Sequence, residues 1–304
     1  MGFSRSPEVM EAMQKEVAKM AREKFVQDIS TGMLKEISST FEQSTNEREK
    51  LPFHDTEHTQ FVIDATRTIL EAMQRGGVDV SEADFATGKL AASAHDVIQG
   101  WAPKHEANGA EKRQRFIGMN EQLSIMMIQE KMREMNEKHG IVFTEEQIAI
   151  VDEAIKVTEP EFIFAELRVV QAKLTTETSP VARAVAMADL GAAGMNSAEF
   201  IKGGDALFRE ENLDMLSLDV TKLTDEQKET YKKRMLGWSS GQPKFARDRQ
   251  AAFEQDVAPL PEQAQAELRA IFTAFPESIR LAEERAKERA SMTFEELYAV
   301  MYEK

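Results

Sequence analysis

The chain has no cysteine in 304 residues. That excludes a disulfide framework, a thiolate nucleophile and any zinc or iron–sulfur centre held by cysteine, and it fits a reducing compartment. Aromatic residues are few and lopsided, with 17 Phe, 3 Tyr and 2 Trp, and there are only five histidines. Positive charge is also short: 38 Lys and Arg face 53 Asp and Glu, for a net charge of −15. Such a balance argues against long nucleic acid or an anionic membrane as partner. It leaves room for a small phosphorylated ligand, which needs only local positive charge. No window approaches the ~18 uncharged apolar residues of a membrane span. Residues 1–20 carry Glu8, Glu11, Lys15, Glu16 and Lys19 where a signal peptide would need an apolar run. The expectation is a cytoplasmic protein with no membrane partner.

What the chain does have is 42% hydrophobic residues and a helical period nearly throughout. Phe61, Val62, Ala65, Ile69, Leu70 and Met73 recur at spacings of three and four, with Thr56 as N-cap and Gly76-Gly77 as the stop. Further helical stretches are expected over about 81–98, 119–138, 144–157, 160–175, 179–190, 196–209, 224–236, 243–257, 261–289 and 293–302. Residues 101–118 read as a long loop. The short apolar runs at 141–143 and 162–164 fit turns as well as strands. The class is therefore all-α. The first residues predict a helical hairpin split near Gly32. They are read as an extension over 1–48 that packs on a main domain, 49–304, or pairs two copies into a homodimer.

The scarce histidines fall on apolar faces. His58 lies three and four residues before Phe61 and Val62, which puts it on the core side of its helix. His95 follows Ala92 and Ala91 at three and four, and Asp96 follows Ala92 at four. Asp189 follows Val185 and Ala186 on another apolar stripe. Any one of them alone is explained by a hydrogen-bonded core histidine or a capping aspartate. Together they place two inward carboxylates among imidazoles with no Lys or Arg on the same faces. Unpaired buried carboxylates cost several kcal/mol, and a divalent cation is the economical counter-charge.

The ordered set His58, His95-Asp96, Asp189 resembles the H…HD…D signature of the HD-domain metal-dependent phosphohydrolase superfamily, which includes cyclic-nucleotide phosphodiesterases. Phe53-His54-Asp55-Thr56-Glu57-His58-Thr59 is similar to the opening motif, although Asp55 stands where the phosphodiesterase branch usually has Asn. Ala94 to Gln99 resembles the helix carrying the HD pair, Ala186 to Gly191 the segment supplying the last Asp, and Asn120-Glu121-Gln122-Leu123-Ser124 the N-E-x-x-S stretch of many bacterial members. The likeness covers roughly residues 50–210. It implies a phosphodiesterase-like helical bundle with extra N- and C-terminal helices. It also implies one divalent ion (Mn, Mg, Fe, Co, Ni or Zn) on His58, His95, Asp96 and Asp189, and hydrolysis of a small phosphoester, nucleotide-like in kind, by metal-activated water.

On that resemblance His54 matches the general acid, while Asp96 or Glu121 would orient the water or take its proton. Glu121 is equally explained as an acidic residue at a helix start. Lys104, Lys112, Arg113 and Arg115 form a basic cluster suited to clamping phosphate oxygens, or else a set of solvated loop charges. His105 is near enough in sequence to reach the site, whereas His139 reads as a helix C-terminal residue. Two competing expectations are a regulatory protein that binds metal or ligand without turnover, and a di-iron oxygenase on the same scaffold.

Overall fold

A chain with this period folds mostly into helices. The computed structural model describes residues 7–106, 109–140, 142–163, 166 and 168–302. Ile141 and Phe164, members of the two short apolar runs, lie outside them. At the centre runs α2 (Thr56–Arg75), whose buried face is the stripe His58, Val62, Ala65, Ile69, Leu70 and Met73. Ile69, Leu70 and Met73 are fully buried, each contributing roughly 1.5–3 kcal/mol relative to exposure. Against α2 pack α3 (Glu82–Ala94) and α6 (Pro180–Asp189). Helix α6 is short and buried from Val181 to Ala188. Its many alanines let it approach α2 closely, which sets the distance across the site. Around this core lie α4 (Met119–His139), α5 (Glu145–Lys156), α7 (Ala192–Met195), α8 (Ser197–Glu211) and α10 (Glu262–Ile271).

Helix α1 spans Pro7–Ile37 without a split. The buried stripe Val26, Ile29, Met33 and Ile37 continues past Gly32 on one face and joins the main core beside α3. That packing outweighs the ~1 kcal/mol a glycine costs a helix. Helix α9 likewise runs unbroken over Asp225–Val257, through Pro243, where the sequence suggested two helices. Its buried stripe Met235, Ser239, Ala246, Phe253 and Val257 bridges the proline. The opposite correction applies to 261–289, which breaks between α10 and α11 (Phe275–Ala290). There Phe272 stacks on Phe253 and on Phe275, and Ala274 N donates to Gly194 O at 2.7 Å. A Cβ on Gly194 would stand 2.5 Å from the Phe272 ring, so only glycine admits this crossing.

Two antiparallel hairpins replace expected loop and helix. Strands β1 (Trp101–His105) and β2 (Glu111–Arg115) pair with Trp101 opposite Arg115 and Lys104 opposite Lys112. The Arg113 guanidinium lies over the Trp101 ring at 4.6 Å. Neither strand alternates apolar and polar residues, so no period-2 signal marks them. Strands β3 (Glu161–Ile163) and β4 (Arg168–Val170) occupy part of the stretch read as a helix over 160–175. A second, smaller core gathers Phe208, Met215, Met235, Leu297 and Met301 where α12 (Phe294–Tyr302) meets α8 and α9. Among the described residues, no helix is long and apolar enough to cross a membrane.

Candidate metal centre

The first ligand side chain is set by a cap. Asp55, not Thr56, is the N-cap of α2, and its carboxylate accepts the His58 backbone N–H at 2.8 Å. The Asp that departs from the resembled motif therefore serves the helix start. His58 follows on the inward face, with the Phe53 ring 4.6 Å from its own. A Cβ on Gly203 of α8 would come within 3.1 Å of that Phe53 ring.

The HD pair sits just past a helix end rather than on a helix continuing to Ile98. Helix α3 stops at Ala94, and His95 is its C-cap. The His95 ring donates from Nδ1 to the Ala92 carbonyl at 2.8 Å. That bond fixes the tautomer and leaves the Nε2 lone pair facing inward. The turn after Asp96 is held by the start of α4. Asn120 Oδ1 accepts from Gly100 N, Asn120 Nδ2 donates to Gly100 O, and Ser124 Oγ accepts from Ile98 N. The N-E-x-x-S stretch thus holds the backbone of the turn that follows the pair.

Asp189 closes the cluster from the last residue of α6. Ligand atoms of His58, His95, Asp96 and Asp189 all lie within 4.8 Å of one another. Asp96 Oδ2 stands 3.0 Å from His95 Nε2 and 3.4 Å from His58 Nε2, and Asp189 Oδ1 stands 3.6 Å from each. Metal–ligand bonds of about 2.0–2.2 Å separate neighbouring donors by roughly 2.8–3.6 Å in tetrahedral or octahedral geometry, so these spacings fit. His58 Nε2 and His95 Nε2 are buried, and among the described residues neither has a hydrogen-bond partner. The 3.0 Å approach of Asp96 to His95 is not aligned as a hydrogen bond. Two nitrogens and two oxygens suit a divalent transition metal.

The electrostatics agree. Burial alone would depress both imidazoles, yet Asp189 and Asp96 raise His58 to about 9 and His95 well above its ordinary value. Burial would raise the carboxyls, but the two imidazoles hold Asp189 at about 2 and Asp96 well below the usual range. A cation would compete with two protons for the same four atoms.

Each carboxylate has its outer oxygen tied by a glutamine. Gln99 Nε2 donates to Asp96 Oδ1 at 2.6 Å, and Gln171 Nε2 donates to Asp189 Oδ2 at 3.2 Å. Both amides are buried. They leave one oxygen of each Asp facing the centre, the kind of support that typically matters 10–100-fold in metal affinity. Neither role is legible in the residue pattern. Gln171 lies in the stretch misread as a helix.

Beside the cluster is a second constellation. Buried His54 donates from Nδ1 to Glu210 Oε1 at 2.5 Å, while Glu210 Oε2 accepts the backbone N–H groups of Phe53 and His54. Arg115 Nη1 donates to His54 Nε2 at 2.8 Å. A guanidinium only donates, so His54 is the neutral Nδ1–H tautomer. His54 Nε2 is 4.0 Å from Asp96 Oδ2, and Arg115 Nη2 is 3.6 Å from Asp96 Oδ1. Burial pushes the Glu210 carboxyl up, but His54, Arg115 and Arg113 bring it down to about 2. Its neighbour Glu211 goes the other way, to about 7, through burial and the charge of Glu210. The signal for Glu210 was present: it lies on the face of Gly203 and Ala206, a carboxylate on an apolar stripe.

The remaining candidates lie elsewhere. Glu121 is not brought to the cluster. It caps α4, with its carboxylate accepting from Gly118 N at 2.5 Å. Arg113 is buried in the hairpin and donates to the carbonyls of Arg48 and Lys50. Lys104 is exposed, and Lys112 lies 3.9 Å from Glu106. His105 points to solvent, its side chain 76% exposed near Glu111, and does not reach the site. His139, in the last turn of α4, stacks on Phe25. Trp238 and Phe245 pack against Phe208 and Phe200. A cavity of about 650 Å³ lies between α1 and the outer faces of α2 and α3, away from these residues. No protein-family model matches the chain, and no curated protein or solved structure matches it either.

Proposed function

We propose that this protein is a metal-dependent phosphohydrolase of the HD-domain type, acting on a small phosphorylated substrate, nucleotide-like in kind. Two buried, unpartnered imidazole nitrogens among two facing carboxylates carry this assignment. The ordered motifs of the sequence support it, and Arg115 supplies positive charge next to the cluster.

His58, His95, Asp96 and Asp189 would hold one divalent ion, which supplies Lewis acidity and makes water a competent nucleophile near neutral pH. The chain's own residues do the rest. His54 Nε2 faces the centre with a lone pair and takes a proton from the attacking water as its oxygen bonds to phosphorus. Glu210, on Nδ1–H, fixes the ring and stabilises the imidazolium that forms. As the bond from phosphorus to the leaving oxygen breaks, the same proton passes from Nε2 to that oxygen. Phosphate and an alcohol, or a second phosphate, leave.

Metal analysis of the purified chain, with a screen of phosphomonoesters, phosphodiesters and nucleotides in Mn, Co or Mg, tests the proposal. The expected result is about one bound ion, and turnover lost in Asp96→Ala. A metal-bearing chain with no turnover on any of them would make it a binding protein, and turnover surviving in Asp96→Ala would end the assignment.

A further inference from the structure

Arg115 has more hydrogen-bonding capacity than the protein uses. Its guanidinium carries five N–H donors. One goes to His54 Nε2 at 2.8 Å. Nη2 faces Asp96 Oδ1 at 3.6 Å, beyond hydrogen-bond range. Nε is buried with no acceptor among the described residues. Donors left unspent in this way are costly, and the side chain is still 19% exposed, so a solute can reach it.

The backbone beneath it is fixed. Arg115 stands opposite Trp101 in the β1–β2 ladder. Arg113, two residues earlier, is pinned to the carbonyls of Arg48 and Lys50 and to the Trp101 ring. The freedom at this position is therefore in the Arg115 side chain. Its one strong contact is with a neutral nitrogen, the weakest kind of partner for a guanidinium. An oxyanion offers charge-assisted, two-pronged bonds instead.

We propose that Arg115 is an anion-operated latch on His54. In the empty site the guanidinium covers His54 Nε2. A tetrahedral oxyanion docking beside the metal cluster draws the fork onto its oxygens and uncovers that nitrogen. The base is thus exposed only when a phosphoryl-type group is in place, and a neutral ligand of the same shape leaves it covered. The latch rests on the proposed phosphohydrolase function for its purpose, although the exchange of bonds does not require a metal.

Inorganic phosphate is the probe, added to the full chain with and without Mn. Two readouts are needed: the dissociation constant by calorimetry, and the His54 Nε2 resonance in long-range 15N spectra. Phosphate is expected to bind wild type and move the Nε2 resonance. Arg115→Ala is expected to weaken binding about 10–100-fold, the loss of one or two charge-assisted bonds. In that variant Nε2 should already be uncovered and unresponsive. Arg115→Lys keeps the charge without the planar fork and should fall between, which covers the case of an Ala variant that fails to fold. Equal phosphate affinity in wild type and either variant, or a wild-type Nε2 that does not move on saturation, overturns the latch. Metal content measured on the same samples keeps the two proposals apart. A wild-type chain without bound metal defeats the hydrolase assignment, while the phosphate response in metal-free protein still decides the latch.

Discussion

Two buried charge clusters in this chain solve the same problem differently. Asp205 on α8 is gripped by Arg289 through both nitrogens, at 2.8 and 2.6 Å, and by Arg285, while Arg289 also donates to Ser239 of α9. The opposite charges sit within the protein and bind α8, α9 and α11 together. The His58–His95–Asp96–Asp189 cluster has two carboxylates turned toward one point, and the nitrogens between them have no partner among the described residues. The charges of the first cluster are matched within the fold, with Arg289 Nε left without a partner among the described residues. The second becomes complete with a cation. Burial and charge alone therefore do not mark a functional site; unpartnered donor atoms at metal-compatible spacing do.

The largest test of that contrast removes Asp205. Asp205→Ala strands Arg289, which is 2% exposed, and is expected to cost about 3–5 kcal/mol in urea unfolding. Metal content per folded chain should not change. If metal is lost from a chain that still folds, the clusters are not independent. Next in size is the acid limb of stability. Glu210 is held at about 2 against an ordinary 4.5. A depressed carboxyl stabilises above its unfolded pKa, and that contribution disappears as pH falls through the folded value. It amounts to on the order of 3 kcal/mol. Glu210→Gln should therefore flatten the loss of stability between about pH 4.5 and 2, measured by unfolding at each pH. An unchanged slope would mean the His54–Glu210 pair is not buried as described. Slightly smaller is the metal's own contribution. A divalent ion at a hundred times its dissociation constant adds about 2.7 kcal/mol to a site it fills. Wild type should gain that in melting experiments with Mn or Co. Asp189→Asn should gain nothing from metal, and without metal it should be less stable than wild type, since a carboxyl held at about 2 by two imidazoles stabilises the fold at neutral pH. The two variants are thus told apart by their response to metal, which Asp205→Ala keeps and Asp189→Asn loses.

The central cluster was legible in the sequence because rare, polar side chains sat at core positions of strongly periodic helices. His58 on the stripe of Val62 and Ala65, and Asp189 on the stripe of Val185 and Ala186, needed only helical spacing. The supporting groups were not legible. Gln99 and Gln171 lie in non-helical turns, and a glutamine in a turn carries no pattern. The hairpin that delivers Arg115 reads as charged loop because its strands bury only Arg113 and show no alternating apolar face. Helix ends misled too: α3 closes at Ala94, so Asp96 is aimed by a turn and not by the face of Ala92. Long-range packing decided the rest. A buried stripe carried α9 through Pro243, and the Phe253–Phe272–Phe275 stack broke 261–289 in two.

The smallest effect separates support from chemistry within the metal centre. Asn120 makes two hydrogen bonds to Gly100, one as acceptor and one as donor. In Asn120→Ala the Gly100 N–H loses its partner, while Gly100 O keeps the Phe116 N–H at 3.0 Å. Gly100 is only half-buried, so water can replace part of what is lost, and the cost should stay near 1 kcal/mol, the lower end for unpaired polar groups. Ser124 still holds Ile98 N, and Ala92 O still holds the His95 ring. The ligand atoms should therefore keep their spacing, with metal affinity falling less than tenfold. A loss as large as that in Asp189→Asn would mean the turn after Asp96 is itself part of what aims the ligands, and the line between the two kinds of cluster would move outward from the four side chains to the backbone that carries them.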